Sequence, residues 1–294
     1  MTQTKDYAVT LGPGRAVDVS EGGDPKGVPV FVMHGSPGSR LLFEPHSRDA
    51  KERGIRLIGH SRPGYGGSTR REGRDMADGA SEVAAVADAL GIGRFAVWGH
   101  SGGGVYALAC AALLPDRVVA ASSLSTMAPF RVEGFDFFAG MGEFNAADIR
   151  LMLADRARWE AKSKLEIGEM LKQSKAERMK EAESFLPPPD RAVNSDEVDE
   201  YFHALFAEGF RNGIYGNVDD CLATASPWGF EPSSIRVPVQ VWHGKEDTFV
   251  PFSHGLWLAA RMPQAEAHLE EGEGHASMFV KRVPEVQGWL ASKF

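Results

Sequence analysis

The sequence predicts an α/β fold, in which a mostly parallel β-sheet is flanked by helices and interrupted by a helical insertion. Over residues 28–126, short apolar runs that end at Gly or Asx alternate with longer helical patterns, as in parallel strands joined by helices. Residues 127–225 contain no strand-like run, and the strand pattern returns at Pro238. We therefore expect two core segments, residues 1–126 and 226–294, separated by a helical lid at residues 127–225.

The patterns of the two core segments predict alternating strands and helices. Each predicted strand is an apolar run that enters a tight loop, and the predicted helices have small or apolar residues at helical spacing. In the first segment the predicted strands are 28–33, 55–58, 95–98 and 118–124, and the predicted helices are 77–90 and 102–114. In the second segment the predicted strands are 238–242 and 265–269, with a helix at 253–261 and a terminal helix that ends at 294.

The predicted lid contains an aromatic patch and two helical stretches, which Pro187-Pro188-Pro189 separates. Asn145 and Ser195 are of residue types that cap helix N-termini, so we expect them to begin these stretches. The aromatic side chains of the lid suit an apolar pocket and packing onto the core equally well. These side chains are Phe130, Phe135, Phe137, Phe138, Trp159, Phe202 and Phe206.

The composition excludes several classes of function. The net charge of −8 and the absence of a dense basic run make nucleic acid an unlikely partner. Residues 1–10 are polar and no segment has about 18 uninterrupted apolar residues, so we expect a soluble cytoplasmic protein without a membrane partner. With two cysteines, Cys110 and Cys221, we expect neither a disulfide framework nor a Cys-based metal site.

One short motif predicts a nucleophilic serine. Gly99-His100-Ser101-Gly102-Gly103 matches G-x-S-x-G, with an apolar strand before it and a small-residue helix after it. Flanking glycines permit the sharp turn that lifts the Ser101 hydroxyl above the sheet edge. A second Gly-His-Ser run at residues 59–61 has Pro63 in place of the last glycine, so we interpret Ser61 as a loop residue.

A serine hydroxyl needs a base, and the base needs a carboxylate that holds it in the right tautomer. Of the nine histidines, His275 alone follows a terminal strand through a Gly-flanked loop. Asp247 follows the preceding strand, which gives the chain order Ser, Asp, His. Glu246 is the rival carboxylate, and Asp247 is favoured because its shorter side chain can bond its own loop backbone. The backbone amides of Gly102 and Ser36 are the predicted donors to an oxyanion.

These motifs resemble those of the α/β-hydrolase superfamily, in particular lidded bacterial hydrolases similar to prolyl iminopeptidases, meta-cleavage product hydrolases and small esterases. The resemblance covers residues 28–126 and 238–294 and includes His34-Gly35-Ser36-Pro37-Gly38, Arg62-Pro63-Gly64-Tyr65-Gly66-Gly67-Ser68 and Gly272-Glu273-Gly274-His275. It implies a sheet of the eight-stranded type. Prolyl iminopeptidases usually have Gly at the Ser36 position and relatives often have Asp at the Ser61 position; the first departure disfavours a peptidase.

The favoured activity is hydrolysis of small carboxylic esters through an acyl-enzyme, without cofactor or metal. Amide or peptide-terminal hydrolysis is the alternative, and it would need a lid acid such as Glu143 or Glu208 that faces a substrate ammonium. A ligand-binding protein without turnover is the alternative from another class, and a cofactor-independent oxygenase or perhydrolase also remains open. The expected partner is a small ester or amide, and the chain is expected to be a monomer or homodimer.

Overall fold

The computed structural model describes residues 4–294 and contains an eight-stranded sheet in the order β1-β2-β4-β3-β5-β6-β7-β8. The strands are β1 (Lys5–Thr10), β2 (Ala16–Gly23), β3 (Val28–Met33), β4 (Ile55–His60), β5 (Phe95–His100), β6 (Val118–Leu124), β7 (Val239–Gly244) and β8 (Glu266–Glu270). Strands β3 to β8 pair in parallel, whereas β2 pairs antiparallel with both β1 and β4. The predicted mostly parallel sheet is thus confirmed.

Helices cover both faces of this sheet and fill the segment between β6 and β7. The core helices are α1 (Glu44–Glu52), α2 (Asp78–Ala89), α3 (Gly102–Leu113), α10 (Phe252–Arg261) and α11 (His275–Ala291). The inserted helices are α4 (Glu143–Ala154), α5 (Arg156–Met170), α6 (Lys175–Phe185), α7 (Pro188–Val193), α8 (Asp196–Gly209) and α9 (Tyr215–Thr224). No helix within residues 4–294 is long and apolar enough to cross a membrane.

Two apolar cores lie on opposite faces of the sheet because successive strand residues point to opposite sides. Val97 of β5 packs with residues of α2 and α3, including Val83 and Leu108. Its neighbour Trp98 packs on the other face with residues of α11 such as Val283. Both faces of β5 are therefore buried, and packing on both sides fixes the position of the carboxyl end of this strand.

The sequence analysis missed the N-terminal part of the fold. Neither the β1–β2 hairpin nor α1 was expected, since residues 1–10, of which 1–3 lie outside the described residues, were interpreted only as a polar stretch. Strand β1 lies at the sheet edge and buries only Val9 fully, so its sequence lacks the apolar run by which the other strands were recognised. Strand β2 buries the apolar Val17 and Val19, but its other residues are polar, small or only partly buried, so it too lacks a continuous apolar run.

The helices of the insertion also differ from the two that were expected. The structure has six. Pro187-Pro188-Pro189 lies between α6 and α7, and Pro188 and Pro189 form the first turn of α7, where an amide has no helical partner. Ser195 caps α8 as predicted, with its side chain accepting a hydrogen bond from the Val198 amide. The Asn145 prediction was wrong, because α4 begins at Glu143. The assignment of residues 127–225 as a separate lid remains a prediction.

A buried cluster of charges joins the insertion to the core. Asp220 of α9 is fully buried, and it forms ion pairs with Arg62 and Arg74, whose side chains are also buried. The hydroxyl groups of Tyr65 and Tyr106 donate hydrogen bonds to the same carboxylate, at 2.9 and 2.8 Å. Burial alone would raise the pKa of Asp220, but the two guanidinium groups outweigh it and hold this pKa far below its ordinary value.

We expect Asp220→Asn to lower the free energy of unfolding by about 3–5 kcal/mol, because it leaves two buried guanidinium groups without a counter-charge. The measurement is urea unfolding followed by circular dichroism. Asp219→Asn is the matched control: Asp219 is the neighbouring residue, but its partner Arg70 is partly exposed, so the loss should be smaller. Equal losses in the two variants would contradict the prediction.

Candidate active site

Ser101 occupies a strained turn between β5 and α3. Its φ of 56° and ψ of −128° lie in a region that residues with a side chain rarely adopt. The chain can turn here because Gly99 and Gly103 lack side chains: a Cβ at Gly99 would lie 2.2 Å from the Gly103 carbonyl oxygen, and one at Gly103 would lie 2.1 Å from that of Met33. The predicted strand–turn–helix setting of Ser101 is present.

The other Gly-His-Ser run has a different setting. Ser61 directly follows β4, is fully buried, and its hydroxyl oxygen accepts a hydrogen bond from the Arg40 amide at 2.9 Å. No helix starts there, as the sequence predicted from Pro63. Ser61 therefore has the structural role that was expected of it.

Asp247 and His275 contact each other at the carboxyl edge of the sheet. The Nδ1 atom of His275 lies 2.7 Å from Oδ2 of Asp247. The other oxygen, Oδ1, accepts hydrogen bonds from the amides of Phe249 and Val250 at 2.9 and 2.8 Å. Asp247 thus bonds its own loop backbone, as predicted, while the rival Glu246 is exposed. These contacts hold the carboxylate in place, and Asp247 contacts Nδ1 of the imidazole and not Nε2.

The electrostatic setting makes His275 the more basic of the neighbouring imidazoles. Burial acts to lower its pKa, but the Asp247 carboxylate outweighs burial and raises the pKa above the ordinary value. Burial lowers the pKa of His100 to about 3 and also lowers that of His243.

His275 contacts the residue that precedes Ser101. The His100 ring lies 4.5 Å from the His275 ring, and Nε2 of His100 lies 3.0 Å from the His275 carbonyl oxygen. His275 is therefore next to the turn that carries Ser101.

The loop after β3 lies against the same turn. An ideal Cβ on Gly102 would be 3.4 Å from the Ser36 amide nitrogen and 2.6 Å from its hydroxyl oxygen, and one on Gly35 would be 3.6 Å from Cβ of Ser101. The Gly102 amide is the first of α3 and so has no acceptor within the helix. The structure thus brings the predicted residues Ser36 and Gly102 together beside Ser101.

Two residues that hold this loop were missed by the sequence analysis. Arg62 donates hydrogen bonds to the carbonyl oxygens of His34 and Gly35 and to the Ser36 hydroxyl, and Asp220 accepts a hydrogen bond of 2.6 Å from that hydroxyl. Arg62 lies in a quoted motif, but nothing in the sequence pointed to Asp220 as its partner. Nε2 of His34 accepts a hydrogen bond from the Arg62 amide at 3.1 Å, which fits the expected structural role of His34.

The aromatic residues at the start of the insertion pack against the core. Phe135 and Phe137 make edge-on contacts with His254 of α10, with ring centroids 5.0 and 4.8 Å apart. Phe249 instead lies 5.3 Å from the His275 ring and 6.0 Å from the Phe185 ring of α6. An aromatic surface thus borders the site on the Asp247 loop, a position that the sequence analysis did not single out.

The described residues offer no cluster for a metal ion. Within residues 4–294, no group of three or more His, Cys, Asp or Glu side chains is placed to ligate one. Cys110 is buried in α3 and Cys221 is partly buried in α9, and both are free thiols.

Comparisons with known proteins agree with this architecture. The chain is 26% identical over 263 residues to the AB hydrolase superfamily protein YisY of Bacillus subtilis (strain 168), covering 87% of this chain and 88% of that protein. It is 28% identical over 296 residues to a non-heme chloroperoxidase of Streptomyces lividans, covering 95% of both.

Solved structures with the same fold include the esterase RhEst1 from Rhodococcus sp. ECU1013, with a TM-score of 0.70 and 19% identity over 98% of this chain and 99% of that one. At that identity the likeness concerns the fold alone. A family model for the alpha/beta hydrolase fold matches residues 28–282. The chain therefore belongs to the α/β-hydrolase fold family.

Proposed function

We propose that this protein is a serine hydrolase that cleaves small carboxylic esters through an acyl-enzyme, with Ser101 as nucleophile, His275 as base and Asp247 as the orienting carboxylate. The observation that carries the proposal is the 2.7 Å contact between His275 and Asp247 at the sheet edge where Ser101 follows β5. Because the carboxyl ends of parallel strands share one edge, residues that follow β5, β7 and β8 can act on one substrate.

In this mechanism the Ser101 hydroxyl attacks the ester carbonyl while Nε2 of His275 takes its proton. Asp247 accepts a hydrogen bond from the Nδ1–H group, which keeps Nε2 free as the base and stabilises the imidazolium that forms. The amides of Gly102 and Ser36 donate hydrogen bonds to the oxyanion. His275 then returns the proton to the leaving alcohol, and water releases the acyl group by the same steps.

The strained backbone of Ser101 supports this role. A residue held at positive φ costs free energy that the surrounding packing must offset, and such positions concentrate at functional sites. The turn also places the N-terminus of α3, with its partial positive charge, beside the hydroxyl, where charge develops during acyl transfer. A ligand-binding protein without turnover has no need of this strain together with an imidazole held by a buried carboxylate.

The peptidase alternative is less well supported. It needs a lid acid, such as Glu143 or Glu208, that faces a substrate ammonium, but Glu208 forms ion pairs with Arg40 and Arg211. Glu143 lies at the start of α4 with 83% of its side chain exposed. A carboxylate that already has guanidinium partners attracts an ammonium weakly, so we prefer the hypothesis that the substrate is an ester.

We expect Ser101→Ala to lower kcat for p-nitrophenyl acetate and butyrate by about 10⁴-fold or more and to abolish covalent labelling by a fluorophosphonate, because the nucleophile is gone. Mass spectrometry of the labelled protein measures the second effect. Ser61→Ala is the matched control, as it changes the other Gly-His-Ser run and should retain turnover and labelling. Faster hydrolysis of aminoacyl anilides would move the assignment to a peptidase, and an unlabelled wild type would reject the serine mechanism.

We expect kcat/KM of the wild type to rise with pH through the pKa of His275, above the ordinary histidine value of 6.5, since only the neutral imidazole can act as base. Asp247→Asn removes the charge that raises this pKa, so the rising limb should move to lower pH while kcat falls by about 10⁴-fold. Steady-state kinetics between pH 5 and 9 test both effects.

Glu246→Gln is the control for this prediction. It removes a neighbouring carboxylate of the same loop that is exposed and makes no contact with the His275 ring. Its pH profile should overlie that of the wild type. A loss of activity in Glu246→Gln with full activity in Asp247→Asn would reverse the choice between the two acids.

A further inference from the structure

Asp190 links the insertion directly to the backbone of His275. It lies in α7 and is fully buried, and each of its oxygens accepts a hydrogen bond from the first turn of α11. Oδ2 accepts the His275 amide at 3.0 Å and Oδ1 accepts the Ser277 amide at 2.8 Å. A carboxylate from one part of the chain thus satisfies amide groups at the start of a helix in another.

The position of Asp190 follows from what α11 lacks. The first amides of a helix have no acceptor within it, and a capping side chain normally comes from the residue just before. That residue is Gly274, which has no such side chain. A Cβ on Gly274 would lie 2.5 Å from Oδ1 of Asp190, so glycine is what admits the carboxylate. The negative charge also faces the positive end of a 17-residue helix.

We propose that Asp190 is a positioning residue for the base: it fixes the backbone of His275, and so the direction of its ring, and thereby makes the insertion part of the catalytic apparatus. This inference rests on the proposed function. The His275 side chain starts from a backbone that two hydrogen bonds hold, and a displacement of about 1 Å at a reacting group can cost up to about 10²-fold in rate.

The charge of Asp190 adds to the effect of its geometry. The groups that face His275 are Asp247 from the loop after β7, His100 from β5, His243 from β7, and Asp190 from α7. Burial works against a charged imidazole, Asp247 opposes burial most strongly, and Asp190 adds to the rise in the pKa of His275. Asp190 therefore favours the imidazolium that forms when Ser101 gives up its proton.

The test uses Asp190→Asn and Asp190→Ala in the full chain. The asparagine keeps the shape and can accept one amide hydrogen bond, but it has no charge; the alanine accepts none. We expect kcat to fall by about 10-fold in the first and up to about 10²-fold in the second, with little change in KM. In both variants the rising limb of kcat/KM should move to lower pH, because a negative charge near His275 has been removed.

Asp196→Asn is the matched control. It removes a carboxylate of the same insertion, exposed at the start of α8 and paired with Lys175, so kcat and the pH profile should not change. Circular dichroism establishes that each variant is folded. A fall in kcat that is matched by a loss of the folded fraction, without a shift of the pH limb, would mean that Asp190 serves folding alone, and it would overturn the proposal.

A readout independent of activity separates this inference from the proposed function. An NMR titration of ¹⁵N-labelled histidine, with His275 assigned by comparison with His275→Gln, measures the pKa of the ring directly. A lower pKa in Asp190→Asn than in the wild type supports the inference even if the wild type turns over no ester, a result that would count against the proposed function only. An unchanged pKa together with an unchanged kcat would reject it.

Discussion

The close approach of backbone to backbone at the end of β5 is the constraint on which the rest of this site depends. The chain leaves a strand and enters α3 within one residue, and Gly99, Gly103 and Gly104 are where a side chain would collide with a neighbouring segment. At Gly104 a Cβ would lie 1.7 Å from the Thr126 hydroxyl oxygen. Met33 ends β3 and Thr126 follows β6, the two strands that pair with β5. The turn is therefore enclosed by the two neighbours of a central strand.

Burial and neighbouring charge together determine which of the imidazoles around this turn has a raised pKa and which have a lowered pKa. His34, His100 and His243 have carbonyl oxygens or amides as partners, and burial lowers the pKa of each. His275 differs because Oδ2 of Asp247 lies 2.7 Å from its Nδ1, within hydrogen-bond distance, whereas the same oxygen lies 3.7 Å from Nε2 of His243. Burial thus lowers the pKa of three of these imidazoles, whereas the Asp247 carboxylate raises the pKa of His275 and makes it the most basic of the four.

The parts of this structure that the sequence predicted are those encoded by local pattern. Buried strands such as β5 are apolar runs, and Ser101 sits in a motif whose glycines have one steric purpose. Asp247 and His275 could be chosen because each follows a strand in a set order. Strand β1 was missed because an exposed edge strand has no apolar run. Asp190 and Asp220 were missed because neither lies in a recognised motif nor follows a strand, so nothing in the sequence indicated their partners 85 and 158 residues away.

Those two aspartates change what the insertion does in this fold. Asp220 holds the loop of Ser36 through Arg62, and Asp190 holds the first turn of α11, so the insertion contacts the two flanks of the Ser101 turn through carboxylates without exposure to solvent. Moving α7 or α9 away from the core would leave a buried charge without its partners, which costs several kcal/mol for each ion. These two helices are therefore anchored to the core, whereas α6 has no buried residue and presents Phe185 to the aromatic surface beside His275. The insertion is thus attached to the core through α7 and α9, whose buried carboxylates hold the first turn of α11 and the loop of Ser36 in place.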